Sequence, residues 1–185
     1  MNKEFSFNIY NNHAKDGVQH AIKECNQFSN APIIVCIGSD LVLGDSLGPL
    51  VGTLLKSRNF GAYVYGTLNM PITAKEIKCA KNYLKEMHPS SAIIAIDAAI
   101  GDKNDIGLIK VFEGSLKPGL GVNKDLGSIG DVSIIGIVAS KSLENYNLFN
   151  LTRLNLVYKM AEIIADALES YLLTEQQKSE KVSGA

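Results

Sequence analysis

Three stretches of this chain, PIIVCIG (32–38), SAIIAID (91–97) and DVSIIGIVA (131–139), are apolar runs that scarcely alternate with polar residues. Their Ile and Val content marks them as strands, and a strand without alternation is buried on both faces. Between them lie segments of helical period. KDGVQHAIKECNQ (15–27) sets Val18, Ala21, Ile22 and Cys25 on one face, and Leu47, Leu50, Val51, Leu54 and Leu55 recur in the same way. TAKEIKCAKNYLKEMH (73–88) predicts a helix with Ile77, Ala80, Leu84 and Met87 inward, and Thr73 with Glu76 fits a capping box at its start. AYVYG (62–66) reads as a further strand, GLIKVFE (107–113) as an edge or half-exposed one, and 147–173 as a long helix. Strands alternating with helices imply crossovers and a mostly parallel sheet covered on both faces. The expected fold is therefore a three-layer α/β/α sandwich over 14–173. Residues 1–13 read as an N-terminal arm, and the polar TEQQKSEKVSGA (174–185) as a disordered tail.

In such a sheet, ligands bind beyond the carboxyl ends of the strands. The loop after the first buried run, in VCIGSDLVLGDSLGPLVG (35–52), lies there, and so does the loop that begins at Asp97. Phosphate chemistry is excluded by the loop's own charge. It spaces Gly38 and Gly44 by five residues, and Asp45 stands where a phosphate loop has Lys. A nucleophilic triad lacks its base. The three histidines are His13, His20 and His88, and His88 falls at the amino edge of the sheet. Cys25, Cys36 and Cys79 have no metal or redox spacing, and Cys36 reads as a core residue.

Two carboxylates remain at the carboxyl edge, Asp45 and Asp97. Two acids in one partly dry site raise each other's proton affinity, so that one serves as base toward water and the other as acid toward a leaving group. Structural readings stand beside this one. Asp45 or Ser46 would N-cap the following helix, and Asp97 would tie down its own loop. Asp40, Asp102, Asp105 and Asp131 read as turn or solvated loop residues. A net charge of −1, with no Lys/Arg-rich run, gives no reason to expect nucleic acid or an acidic membrane. Neither a signal peptide nor a membrane span is read from the sequence, and the expected location is the cytoplasm.

CIGSDLVLGDSLGPLVG, YGTLNMPITAKE, AIIAIDAAIG and PGLGVNKDLGSIGDVSIIGIV together resemble the sporulation protein YyaC family, over roughly residues 15–170. That family is similar to the spore germination protease and, in fold, to the hydrogenase maturation endopeptidases, a phosphorylase/hydrolase-like α/β/α domain. The resemblance implies an aspartic-type peptidase of spore formation or germination. Asp45 and Asp97 stand at the two catalytic positions, and small acid-soluble spore proteins are the candidate substrates. Ser39, Gly44, Ser46 and the 118–125 loop, with Gly119, Gly121 and Asn123, would shape the mouth. In the hydrogenase peptidases the same acids bind nickel together with a His, but no His follows His88 here. The expectation is therefore no metal and no cofactor. The alternative is a noncatalytic sporulation factor that binds a peptide or protein at the same cleft; a homo-oligomer is compatible with either. Two geometric expectations follow. The buried runs at 32–38 and 91–97 should be central and parallel, and the two carboxyls should lie within ~10 Å.

Overall fold

The computed structural model describes residues 3–26, 31–58, 61–118, 127–140 and 152–183, with side chains as far as residue 177. The strands are β1 (Glu4–Asn8), β2 (Ile33–Cys36), β3 (Val64–Tyr65), β4 (Ile93–Gly101), β5 (Leu108–Glu113) and β6 (Val132–Ser140). The helices are α1 (Ala14–Cys25), α2 (Leu47–Arg58), α3 (Ile77–Met87) and α4 (Leu154–Ser183). All six strands form one sheet in the order β1-β5-β6-β4-β2-β3. β6, β4, β2 and β3 run parallel, while β5 is antiparallel to both of its neighbours, β1 and β6. The fold is mixed α/β, and the runs read as buried are its central parallel strands.

Each residue of β2 is buried, and the two faces meet different cores. Ile34 and Cys36 join Ile94 and Ile96 of β4 beneath α1, α2 and α4, whose Ile22, Leu47, Val51, Val157, Ile164 and Leu168 fill that side. Ile33 and Val35 join Ala95 under Ile77 and Leu84 of α3. Coverage on both sides is why these strands carry no polar alternation. Between α2 and α4, Arg58 donates to Asp166 and to Glu169, each at 2.7 Å. The Thr73–Glu76 capping box is present, on a short 3-10 turn that leads into α3.

Glycine lets α2 sit directly on the strands. A Cβ at Gly48 would lie 2.1 Å from the carbonyl oxygen of Ile37, and one at Gly52 would lie 1.9 Å from that of Gly66. Helix and strand therefore touch backbone to backbone at the start of α2.

Three expectations are corrected, and the half-exposed reading of 107–113 holds. The N-terminal arm supplies an edge strand, since Phe5 and Phe7 of β1 pair with Val111 and Ile109 of β5. β5 is therefore half-exposed without being an edge. Met87 faces outward, 55% exposed, because α3 buries only Ile77 and Leu84 among its residues. The segment read as a disordered tail lies in α4 as far as Ser183. The start of that helix is Leu154; residues 147–151 of the expected helix lie outside the described residues.

Candidate functional site

The chain leaves β2 through Gly38, whose φ of +138° is disfavoured for residues with a side chain. A Cβ there would lie 2.0 Å from the carbonyl oxygen of Asp45, so Gly38 is what allows the loop to fold back on itself. Backbone bonds then close the loop. The Ser39 N–H donates to the Asp45 carbonyl (3.1 Å), and the Asp45 N–H donates to Val42 (2.9 Å). Residues Leu43–Ser46 form a 3-10 turn that runs straight into α2. The Ser46 hydroxyl, nearly buried, donates to the Leu43 carbonyl at 2.6 Å, and Ser39 Oγ accepts from the Leu41 N–H at 3.2 Å. Gly44 is buried in the same turn. Of the expected mouth residues, Ser39 is half-buried beside Asp45, while Gly44 and Ser46 shape the turn from within. Gly119, Gly121 and Asn123 lie outside the described residues.

Asp97 does not end its strand, as the sequence reading expected. β4 continues to Gly101, paired with β6, and a register shift falls between Ala99 and Ile100. What ends at this level is β2, whose ladder with β4 stops at Cys36 opposite Ile96. Asp97 is thus the first residue of β4 beyond β2. Its side chain is buried at 9% exposure, and Oδ1 accepts the N–H of Ala98 at 2.8 Å.

The electrostatics tie the two acids together. Burial pushes Asp45 up to about 6, against a backbone hydrogen bond from Ser39 that favours its charged form. Burial raises Asp97 well above the usual carboxylate range, and the nearby charge of Asp45 raises it further, with the Ala98 N–H opposing. With the loop folded back, the charge of Asp45 acts on Asp97. No cation among the described residues offsets either shift. A buried, hydrogen-bonded acid that holds its proton beside a second acid that releases its own near neutrality is a donor next to an acceptor.

The other titratable groups stand apart. His88 follows α3 and precedes β4, at the amino edge, with Nε2 2.6 Å from the Tyr65 hydroxyl and its ring 4.6 Å from that of Tyr63. Asp131 accepts the N–H of Ile93 (2.9 Å) at the beginning of β4, a turn role as expected. Asp105 pairs with Lys110, and Asp40 and Asp102 are exposed. Cys36 is buried within the core, where desolvation raises its thiol far from reactivity. Among the described residues, no three His, Cys, Asp or Glu side chains group in a way that could hold a metal ion.

Over residues 6–167 the chain matches the family described as "Protein of unknown function (DUF1256)". It belongs to that family. It is similar to the "Uncharacterized protein YyaC" of Bacillus subtilis (strain 168), with 43% identity over 137 residues spanning 74% of this chain and 67% of that protein. The YyaC resemblance carried by the motifs is thus found across most of the chain. Sequence reasoning missed two features of this DUF1256 site. Leu41 and Met70 stand 87% and 73% exposed on loops at the same edge, and β4 overruns β2. Leu41 had a signal, as an apolar residue within an acidic loop and outside any helical period.

Proposed function

We propose that this DUF1256 protein is a peptidase-like hydrolase of spore formation or germination, acting inside the sporulating cell or spore. Its fold would be a three-layer phosphorylase/hydrolase-like domain related to the germination protease and the hydrogenase maturation endopeptidases. One observation carries the reading: two acids meet at the carboxyl edge of the sheet, both with raised proton affinity and with no cation to hold them ionised. That arrangement destabilises the fold to no structural end, which is the mark of a site.

The roles follow from the order of the shifts. Near neutral pH Asp45 is mostly ionised, and Asp97, raised by its burial and further by the charge of Asp45, is the acid that serves as proton donor. The Asp45 carboxylate takes a proton from water as the water oxygen bonds to the scissile carbonyl carbon, while Asp97 gives its proton to the carbonyl oxygen. The tetrahedral diol then collapses. Its C–N bond breaks as Asp45 passes its proton to the departing amine, and Asp97 regains one from the diol hydroxyl. Both acids return to their starting states, and neither a metal nor a cofactor is called on.

The candidate substrates are small acid-soluble spore proteins. Purified protein incubated with spore-protein extract should cleave them, and the Asp97→Asn variant should not. Extract left intact by the wild type, or cleaved equally by both, would sink the proposal. A binding role without cleavage is favoured by the exposed Leu41 and Met70 at the same edge. Capture of a spore protein that stays whole would select it. Among the described residues no helix is long and apolar enough to cross a membrane.

A further inference from the structure

The overrun of β4 past β2 leaves part of a sheet uncompleted. The β2–β4 ladder stops at Cys36 and Ile96, whereas the β4–β6 ladder continues to Gly101 opposite Ser140. Among the described residues, the edge of β4 from Asp97 to Gly101 that looks along the line of β2 has no strand beside it. Main-chain groups alternate sides along a strand. The carbonyls of Ala92 and Ile96 accept from Ile33 and Ile37 at 2.8 Å, so the N–H and C=O of Ala98 face the same side. There, among the described residues, the carboxyl of Asp97 takes the Ala98 N–H. The open edge and the acid pair are the same place.

Two loops flank it, those that follow β2 and β3. They are tied by a parallel bridge between Ile37 and Ile72 and by the Gly38 N–H donating to Ile72 at 2.9 Å. Each loop holds an apolar side chain outward on an ordered frame. Leu41 is 87% exposed although its own N–H is bonded to Ser39 Oγ. Met70 is 73% exposed on a turn closed by reciprocal bonds between Thr67 and Met70 (3.0 and 3.2 Å), and Thr53 Oγ1 accepts from the neighbouring Leu68 N–H at 2.9 Å. Residues 37–46 and 66–72 include Asp40 and Asp45 but no Lys or Arg. The surroundings are apolar and acidic.

We propose that an extended peptide with apolar, and some basic, side chains binds here as an added strand in the line that β2 vacates. Its main chain bonds the open edge of β4, apolar side chains rest on Leu41 and Met70, and a basic one meets Asp40. Main-chain pairing supplies affinity in such strand addition, and alternate side chains supply selectivity. A peptide carbonyl takes over the N–H of Ala98, which frees the Asp97 carboxyl to turn its proton toward the bond to be cut. This deepens the proposed function by stating how the substrate is held, and it rests on that function only for the cleavage.

The test uses the full-length Asp97→Asn protein on an array of synthetic peptides of varied sequence. Peptides with alternating apolar residues and Lys or Arg should bind, and N-methylation should weaken the strongest binder at every second residue only, since strand pairing has a period of two. Leu41→Lys and Met70→Lys should each lower its affinity about tenfold, the worth of one partly buried apolar side chain. Met87→Lys, at the opposite edge, should leave it unchanged. Binding that tolerates N-methylation throughout, binding that prefers acidic peptides, or no binding would each overturn the inference. So would a dimer that Leu41→Lys dissociates, because a second copy would then be the occupant. If the array is bound as expected but the wild type cleaves none of the binders, the strand site stands and the peptidase reading fails. If cleavage occurs with no apolar preference, the reverse holds.

Discussion

The two ends of the parallel strands treat their polar groups in opposite ways. At the amino edge, the Tyr65 hydroxyl and His88 share a hydrogen bond, the rings of Tyr63 and Tyr65 meet that of His88 at tilted and edge-on angles, and Tyr63 and the neighbouring Tyr83 are open to water. At the carboxyl edge, Asp97 is buried beside Asp45 and both hold their protons more tightly than carboxylic acids do in water. The first cluster relieves its polar groups, and the second keeps them under tension. Perturbed acids cluster where chemistry uses them, and under the proposed function the asymmetry separates a supporting edge from a working one.

The largest expected effect tests the working edge directly. Asp45→Asn and Asp97→Asn should each lower cleavage of spore proteins about a thousandfold, within the usual range for a lost acid or base. Tyr65→Phe should leave the rate unchanged. Initial rates of the purified variants decide the matter, and equal losses at both edges would erase the distinction.

Next in size is the loop that holds Asp45. Gly38→Ala should destabilise the protein by roughly 3 kcal/mol, since it adds a clash with the Asp45 carbonyl to a φ that L-residues avoid. Denaturant unfolding measures this. A loss below about 1 kcal/mol would mean that the loop reaches the edge by another path.

The acid pair also predicts a pH signature. Both folded values lie above the unfolded one of about 3.9, so the folded state binds the protons more tightly. The stability that this contributes is complete below pH ~4. It is lost as pH rises, through about 6 for Asp45 and at higher pH for Asp97. The Asn variants escape that loss. Asp45→Asn should match the wild type near pH 4 and exceed it at pH 7 by about 2–3 kcal/mol, or several degrees in Tm, and Asp97→Asn should depart from the wild type in the same direction. A gap that shrinks with rising pH would contradict the raised values. Tyr65→Phe, the smallest effect, should cost about 0.5–1 kcal/mol for one hydrogen bond at a half-exposed site. Thermal unfolding at fixed pH reads it, and a loss of several kcal/mol would make the amino edge a second strained region.

Much of this was legible because burial leaves a pattern. The runs at 32–38, 91–97 and 131–139 gave the central strands, and two acids stood out, Asp45 in the loop that follows the first run and Asp97 at the close of the second. The extent of β4 was hidden because Ala98, Ala99 and Gly101 have little strand preference of their own, and the pairing with β6 carries them. β1 shows alternation in only two residues, Phe5 and Phe7, too short a signal without β5 beside it. In α4, Tyr171 and Leu172 are still buried, and the Glu, Gln and Lys that follow are good helix formers, so the helix continues past its apolar face. The approach of Asp45 to Asp97 depends on a loop folding back at Gly38, which spacing alone does not determine.

The contacts of Gly48 and Gly52 with the backbone of residues 37 and 66 bear on how this protein can change over generations. Ordinary cores drift, because one side chain shrinks as its neighbour grows and helices slide by fractions of an ångström to accommodate them. Main chain resting on main chain has no such slack. Substitutions elsewhere in the core therefore leave the distance between α2 and β2 almost untouched, and with it the position of Asp45, whereas a single methyl group at either glycine has nowhere to go. Relatives can diversify the outer residues of the loops, Leu41 and Met70 among them, and so alter what they accept without disturbing the geometry of the acids. Innovation in this fold is channelled to the rim, and the mount beneath it is held still.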